Sequence, residues 1–210
     1  MLTTYFTVKT EGSHEIVIQK SRFIGHVKRV ETEEEAISFV QKIKKEHKDA
    51  THNCSAYMIG EHDLIQKASD DGEPSGTAGV PILEVLKKKG LKDTAVVVTR
   101  YFGGIKLGAG GLIRAYSGSA SQSIDEIGVV KRQLMQLAEI HIDYTLLGKV
   151  ENELRQSAYT LRNIDYADRV VLHAAFQSGQ EEEFQAYVTD MTNAQAEIIF
   201  GGQEYIEEDV

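Results

Sequence analysis

Hydrophobic positions recur along this chain in two rhythms, and each marks an element. Gln136 to Asp143 alternates polar and apolar residues, with Leu137, Ile140 and Ile142 as apolar members. Alternation places every second side chain on one face, so the segment is predicted to be a strand. Leu147, Val150, Leu154 and Ala158 are then spaced three and four apart, the stripe of a helix over 146–158. Thr160 to Tyr166 and the apolar run Arg169 to Gln177 are predicted as two strands joined at Ala167-Asp168. Gln180 to Thr192 is predicted as a helix, with Phe184, Tyr187, Val188 and Met191 on one face. Its first turn holds Glu181, Glu182 and Glu183, where the helix dipole favours carboxylates. A strand over 196–205, broken at Gly201-Gly202, completes a β-α-β-β-α-β order, the ferredoxin-like split motif.

The N-terminal part is patterned differently. Ile16 to Ile18 and Phe23 to Val27 are predicted as short strands. Thr32 to Lys48 is an amphipathic helix with Ala36, Ile37, Val40, Ile43 and the stem of Lys44 on its apolar face. Thr32 is its N-cap and Glu35 completes a capping box. Cys54 to Ile59 and Leu64 to Ala68 are strands around a turn at 60–63, and Val80 to Lys88 is a short helix. Thr94 to Tyr101 is the strongest buried strand, followed by a glycine loop and a helix from about Gly111 to Ile127. The expected class is α+β, with domains at 1–132 and 136–210. The joint falls near 130–136, at Lys131-Arg132-Gln133.

Composition narrows this further. Hydrophobic residues at 41% and charged residues at 26% are ordinary globular usage, and only two prolines, Pro74 and Pro81, occur, so the joint between domains is short. The net charge of −9 is unevenly placed: residues 1–132 carry 19 basic against 17 acidic residues, residues 133–210 only 4 against 15. A phosphate backbone, if bound, is therefore expected to meet the first domain. Cys54 is the single cysteine, which excludes an internal disulfide and fits a reducing compartment. Met1 to Ser13 lacks the apolar core of a signal peptide, and no apolar run approaches the roughly 18 residues of a membrane span. The expected location is cytoplasmic, with no membrane partner.

Three polar stretches exceed what folding requires. Ser69 to Thr77, S-D-D-G-E-P-S-G-T, holds Asp70, Asp71 and Glu73 with Ser75 and Thr77. Such carboxylates can bind a divalent cation or act as an acid/base pair, or the stretch can be a turn and helix cap. Arg100 to Arg114, R-Y-F-G-G-I-K-L-G-A-G-G-L-I-R, follows a buried strand and opens a helix, presenting backbone N–H groups to an anion. Arg100, Lys106 and Arg114 can supply counter-charge, and Tyr101 and Phe102 offer rings for stacking. Gly103, Gly104 and Gly108 shape the loop, which matches neither a Walker A loop nor the dinucleotide fingerprint. Thr51-His52-Asn53-Cys54 puts His52 and Cys54 on one strand face, a thiol–imidazole arrangement without an orienting acid, or simply a buried cysteine beside a loop histidine. No histidine spacing fits zinc.

Together these stretches resemble the IMPACT family, whose bacterial members are the YigZ-like proteins. Gly79 to Gly108 looks like the family signature and ends in R-Y-F-G-G-I-K-L-G, and the upstream D-D-G-E-P-S-G-T-A-G also matches. So does K-S-R-F at Lys20 to Phe23, which adds Lys20 and Arg22, with His52, as supporting residues. The resemblance covers about residues 1–130. It implies a first domain like the second domain of a small-subunit ribosomal protein, and a second like the ferredoxin-like domain V of elongation factor G. It also implies a link to translation, because eukaryotic relatives compete for the activator of an initiation-factor kinase. The expected function is binding of a ribosome, an RNA or a translation-related protein through a polar cleft on the first domain. The rival is an enzyme, hydrolase or transferase, acting on a phosphorylated small molecule or peptide-like substrate; a protein–protein module using the acidic second domain is a third reading. No cofactor or metal is expected, and catalytic residues are unassigned.

Overall fold

The computed structural model describes residues 2–210, so Met1 of the expected first domain lies outside it. Two compact units are present: Tyr5–Lys131 with Glu208–Val210, and Arg132–Glu207 with Leu2–Thr4.

In the first unit, β1 (Thr4–Val8) precedes the hairpin β2 (Gly12–Ile18) and β3 (Ser21–Arg29). Then come α1 (Glu33–Glu46), β4 (His52–Ile59), β5 (Ile65–Ser69), α2 (Gly79–Lys88), β6 (Thr94–Tyr101) and α3 (Gly108–Ile127). The sheet runs β2-β3-β6-β4-β5, antiparallel throughout. β6 is buried from Thr94 to Arg100 because both its faces are covered. Ala95 and Val97 pack with Ala36, Phe39 and Ile43 of α1, whereas Val96 and Val98 pack with Ile82, Leu86, Leu112 and Tyr116 of α2 and α3.

Thr32 caps α1 as predicted, its Oγ1 accepting from the Glu35 amide at 3.2 Å, while Glu35 Oε2 reaches back to the Glu31 amide, one residue before the amide a capping box uses, at 2.8 Å. Its buried face is rotated from the expected one. Phe39 enters the core and Ile37 stays exposed, since the larger ring fills the space over the sheet. α3 begins three residues earlier than predicted, at Gly108, and β1 was not expected at all; Tyr5, Thr7 and Val8 are buried along it.

The second unit contains β7 (Val129–Ile142), α4 (Leu147–Gln156), β8 (Thr160–Tyr166), β9 (Val170–Gln177), α5 (Glu181–Thr192) and β10 (Glu197–Asp209). β7 pairs with β9 and β10, and β9 with β8, giving the order β10-β7-β9-β8 of a ferredoxin-like βαββαβ unit. Ile140, Ile142, Leu172 and Phe176 pack with Val150, Leu154, Phe184 and Val188, and the rings of Phe176 and Phe184 stack at 4.2 Å. β10 continues through Gly201-Gly202, where an interruption was expected. Gln136 Nε2 donates to the Gly201 carbonyl at 2.7 Å. Lys131-Arg132-Gln133, where the joint was expected, holds the division between the two units, and the chain passes it inside strand β7. The chain is α+β with two domains. Among the described residues no helix is long and apolar enough to cross a membrane.

Candidate functional site

The site grows from one end of the first unit's sheet. In β6, Arg100 pairs with His52 of β4 and with Phe23 of β3. Alternation turns the Arg100 side chain toward α2 and α3, where it is 5% exposed. Its Nη1 donates to Glu73 Oε1 at 2.6 Å, and its guanidinium lies 5.4 Å from the Phe23 ring and 5.3 Å from the Phe102 ring. Glu73 is buried as well, and its Oε1 also accepts from the Tyr116 hydroxyl of α3 at 2.7 Å. Burial above all, with Cys54 and Glu73 beside it, pushes the Tyr116 phenol far above its ordinary range, so it serves as a fixed donor.

The loop 70–77 is held so that Glu73 has no freedom to leave. Asp70 Oδ1 accepts from the Ala78 and Gly79 amides at 3.0 and 2.8 Å, and Oδ2 from the Gly76 amide at 2.8 Å. Partial burial opposes its ionisation, but the three backbone donors outweigh burial and keep its carboxyl below the ordinary value. Asp71 Oδ1 accepts from Lys44 Nζ at 2.6 Å and Oδ2 from the Asn53 amide at 2.7 Å. The Thr77 hydroxyl donates to the Pro74 carbonyl at 2.6 Å. Gly79 fits against β5 because a Cβ there would lie 2.5 Å from the Ser69 amide nitrogen.

Beside the Glu73–Arg100 pair opens a cavity of about 430 Å³. His52, Glu73 and Arg100 line it, with Phe102 and Lys106 from the glycine loop and Gly108 at the start of α3. Phe102 is 46% exposed and Lys106 is exposed. The structure therefore brings together six of the residues singled out in the sequence.

The other expected cleft residues lie elsewhere. Asp70 and Asp71 are spent on backbone amides and on Lys44, and Thr77 on its own loop, so the three carboxylates do not converge on a cation or form an acid/base pair. Among the described residues no group of three or more metal-ligating side chains is present. Ser75 is exposed on the loop. Tyr101 alternates away from Arg100 toward α1: its hydroxyl bonds His47 Nδ1 at 2.9 Å, and the Arg22 guanidinium sits 5.2 Å from its ring. Arg22 is itself bidentate on Glu15, at 3.0 and 2.8 Å. Gly103 has a packing role, since a Cβ there would fall 2.0 Å from the Lys20 carbonyl carbon; its amide donates to Ser21 Oγ at 3.1 Å. Gly104 takes φ +85° in the loop, Lys20 is exposed at the β2–β3 turn, and Arg114 is exposed on the second turn of α3. Cys54 is buried, its thiol donates to the Asp70 carbonyl at 2.9 Å, and burial pushes it up to about 12. It is a structural cysteine and no thiolate nucleophile.

Sequence reasoning missed Tyr116, which sits on the apolar stripe of α3. A tyrosine on a core stripe needs a polar partner for its hydroxyl, and that was the available signal.

Comparison with known proteins follows the two units. A family model described as Impact N-terminal domain matches residues 19–124, and one described as Domain of unknown function (DUF1949) matches residues 140–195. IMPACT family member YvyE of Bacillus subtilis (strain 168) is 59% identical over 210 residues, 100% of this chain and 97% of that protein. IMPACT family member YigZ of Escherichia coli (strain K12) is 35% identical over 184 residues, 87% of this chain and 90% of that protein. Protein IMPACT of Mus musculus is 36% identical over 98 residues, 44% of this chain and 30% of that protein. A crystal structure described as that of an hypothetical protein superposes with a TM-score of 0.62 at 31% identity, covering 95% of this chain and 98% of that one.

Proposed function

The chain belongs to the IMPACT family, and we propose that it is a cytoplasmic binding protein of the translation apparatus that engages RNA, as on a ribosome, at the cavity beside Arg100. One observation carries this reading. An exposed ring, Phe102, stands over the Arg100 guanidinium at a cavity bordered by Lys106 and the first turn of α3. An exposed ring stacks any base, and a helix N-terminus with a flexible cation beside it accepts phosphate. Arg114, exposed one turn further along α3, extends the cationic track. The charge split supports the same surface, since residues 133–210 hold 15 acidic against 4 basic residues and repel a phosphate backbone. The link to translation rests on the family resemblance.

The test is anisotropy of a short labelled single-stranded RNA across a salt series. Phe102→Ala should weaken binding by about 1–3 kcal/mol with an unchanged salt slope. Lys106→Ala should reduce the log–log slope by roughly 0.7. No measurable RNA binding by the full chain at low salt refutes the reading. A second reading, an enzyme acting on a phosphorylated small molecule, is favoured by Glu73 lying beside His52 inside the cavity. It predicts that such a compound raises the unfolding temperature where RNA does not.

A further inference from the structure

α1 carries two stripes of side chains, and the core of its unit uses one of them. Ala36, Phe39 and Ile43 are buried over the sheet. Ile37, Val40, Gln41 and Lys44 recur at helical spacing on a second face, where Ile37 is 44% exposed. That face is one wall of a groove of about 220 Å³, floored by Ser55 and Tyr57 of β4 and by Lys67 and Ser69 of β5. Tyr57 is fixed in the floor, because it is buried and its hydroxyl donates to Glu33 Oε1 at 2.7 Å.

The open side of the groove is a sheet edge. β5 ends the order β2-β3-β6-β4-β5 and pairs with β4 alone, with Lys67 opposite Tyr57. Its residues Ile65 to Ala68 are exposed. An edge strand presents a row of amide and carbonyl groups to which another extended polypeptide can add, its alternate side chains entering pockets along the edge. A nucleic acid cannot continue that ladder. Charge narrows the choice of polypeptide. Lys44 and Lys67 line the groove and no carboxylate does. Lys44 is held by Asp71 at 2.6 Å, whereas Lys67 has no acidic partner among the described residues. A second copy pairing two-fold about the middle of β5 sets Lys67 against Lys67, which is unfavourable. A strand with a carboxylate opposite Lys67 gains instead. Two residues along the same face of that strand, an aromatic side chain reaches diagonally across β5 toward Ile37 and Val40.

We propose that the β5 edge and the groove beside α1 dock a protein partner, which adds an extended segment bearing an aromatic side chain and a carboxylate on one face. This site lies on the α1 face of the sheet and the Arg100 cavity on the α2 and α3 face, so the inference stands apart from the RNA reading.

The experiment titrates the isotope-labelled full chain with the capped peptide Thr-Phe-Thr-Glu-Thr-Phe-Thr and follows its backbone amide signals by NMR. As a strand, the peptide puts Phe, Glu and Phe on one face. The expected result is a set of shifts confined to β5 and to residues 37–44 of α1. Replacing the peptide's Glu by Lys should weaken binding about threefold, the worth of an exposed ion pair, and Lys67→Glu should reverse the order of the two peptides. Methylating alternate peptide amides removes the donors along one edge of the strand. One of the two such isomers should bind at least about tenfold more weakly and the other like the parent, since only one edge faces β5. Ile37→Asp, at an exposed position, should weaken the parent peptide and leave signals outside the groove unmoved. Shifts that fall elsewhere, no shifts at all, or two methylated isomers that both bind like the parent overturn the inference. So does a dimer in sedimentation that Ile37→Asp dissociates, because the groove then belongs to a second copy, and so does oligouridine moving the β5 amides where the peptide does not.

Discussion

Replacing Arg100 by Met should destabilise the protein far more than replacing Arg100 and Glu73 together. Both partners are buried, with side-chain exposures of 6% and 4%, and their contact is 2.6 Å. Arg100→Met alone leaves the buried Glu73 carboxylate with Tyr116 as its one remaining hydrogen-bond donor among the described residues. Stranding one member of a buried pair costs about 3–5 kcal/mol. Arg100→Met with Glu73→Leu removes both charges and leaves apolar side chains among Phe23, Leu112 and Tyr116, so most of that loss should return, as it does when buried pairs are exchanged for hydrophobes. The double-mutant coupling is then at least about 2 kcal/mol, well above the roughly 0–1 kcal/mol of an exposed pair. Urea unfolding followed by fluorescence and circular dichroism gives the three free energies, provided the slopes agree. A single-variant loss below about 1 kcal/mol would refute the reasoning, because it would mean that Glu73 turns to water when released.

Three further outcomes can be checked. His26 is buried, and burial first, then His47 at 4.9 Å between ring centroids and the charge of Lys42, lowers it from 6.5 to about 4. The folded state thus holds it neutral where the unfolded chain is protonated, so stability complete above pH 6.5 should fall as the pH drops toward 4, by up to about 3 kcal/mol, and His26→Phe should flatten that fall in urea titrations. Cys54, with its thiol pushed up to about 12, should resist iodoacetamide in the native protein and react at once in urea; rapid native labelling would show the thiol to be reachable. We propose that the two units fold independently, but fragments 1–132 and 136–210 should each melt below fragments of the same units that keep their outlying segments. The first loses the Lys9–Asp209 pair and the bond from the Val210 amide to the Val129 carbonyl, and the second loses the bond from the Leu134 amide to the Thr3 carbonyl and that from the Tyr205 hydroxyl to the Leu2 carbonyl. Calorimetry that finds no such difference would count against these contacts.

Elements with a strong local signal were legible. Thr94–Tyr101 and Thr160–Tyr166 came out at their residue bounds, the first because of its apolar run Ala95–Val98 and the second because of the turn at Ala167-Asp168 that follows it. The cap of α1 was equally plain, since Thr32 and Glu35 meet across one turn. β1 was not legible: Thr4–Val8 carries Tyr5, Thr7 and Val8 inward only because of partners far along the chain, such as Leu91 opposite Phe6. The candidate site was half legible for the same reason. Composition marked both loops as unusual, yet Asp70, Asp71 and Glu73 look alike in sequence. Only the fold shows that Asp70 closes onto three amides, Asp71 pairs with Lys44 of α1, and Glu73 alone turns inward to Arg100.

That division of labour among three neighbouring carboxylates explains how so acidic a loop can sit against a site proposed for a polyanion. Asp71 is neutralised by Lys44 at 2.6 Å on the α1 side of the sheet. Asp70 is balanced by the amides that open α2, so its charge falls on the partial positive end of that helix. Glu73 is matched by Arg100 at 2.6 Å. Among the described residues, what remains without an acidic partner beside the cavity is Lys106, together with the N-terminus of α3, which no side chain caps, and the exposed face of Phe102. The loop's acidity is consumed in building the site, and the field that a ligand meets is set by the R-Y-F-G-G-I-K-L-G loop. Neutralising Asp71 by Asp71→Asn should therefore loosen the 70–77 loop and weaken RNA binding, whereas a loop that acted by simple repulsion would bind RNA more tightly once that charge was gone.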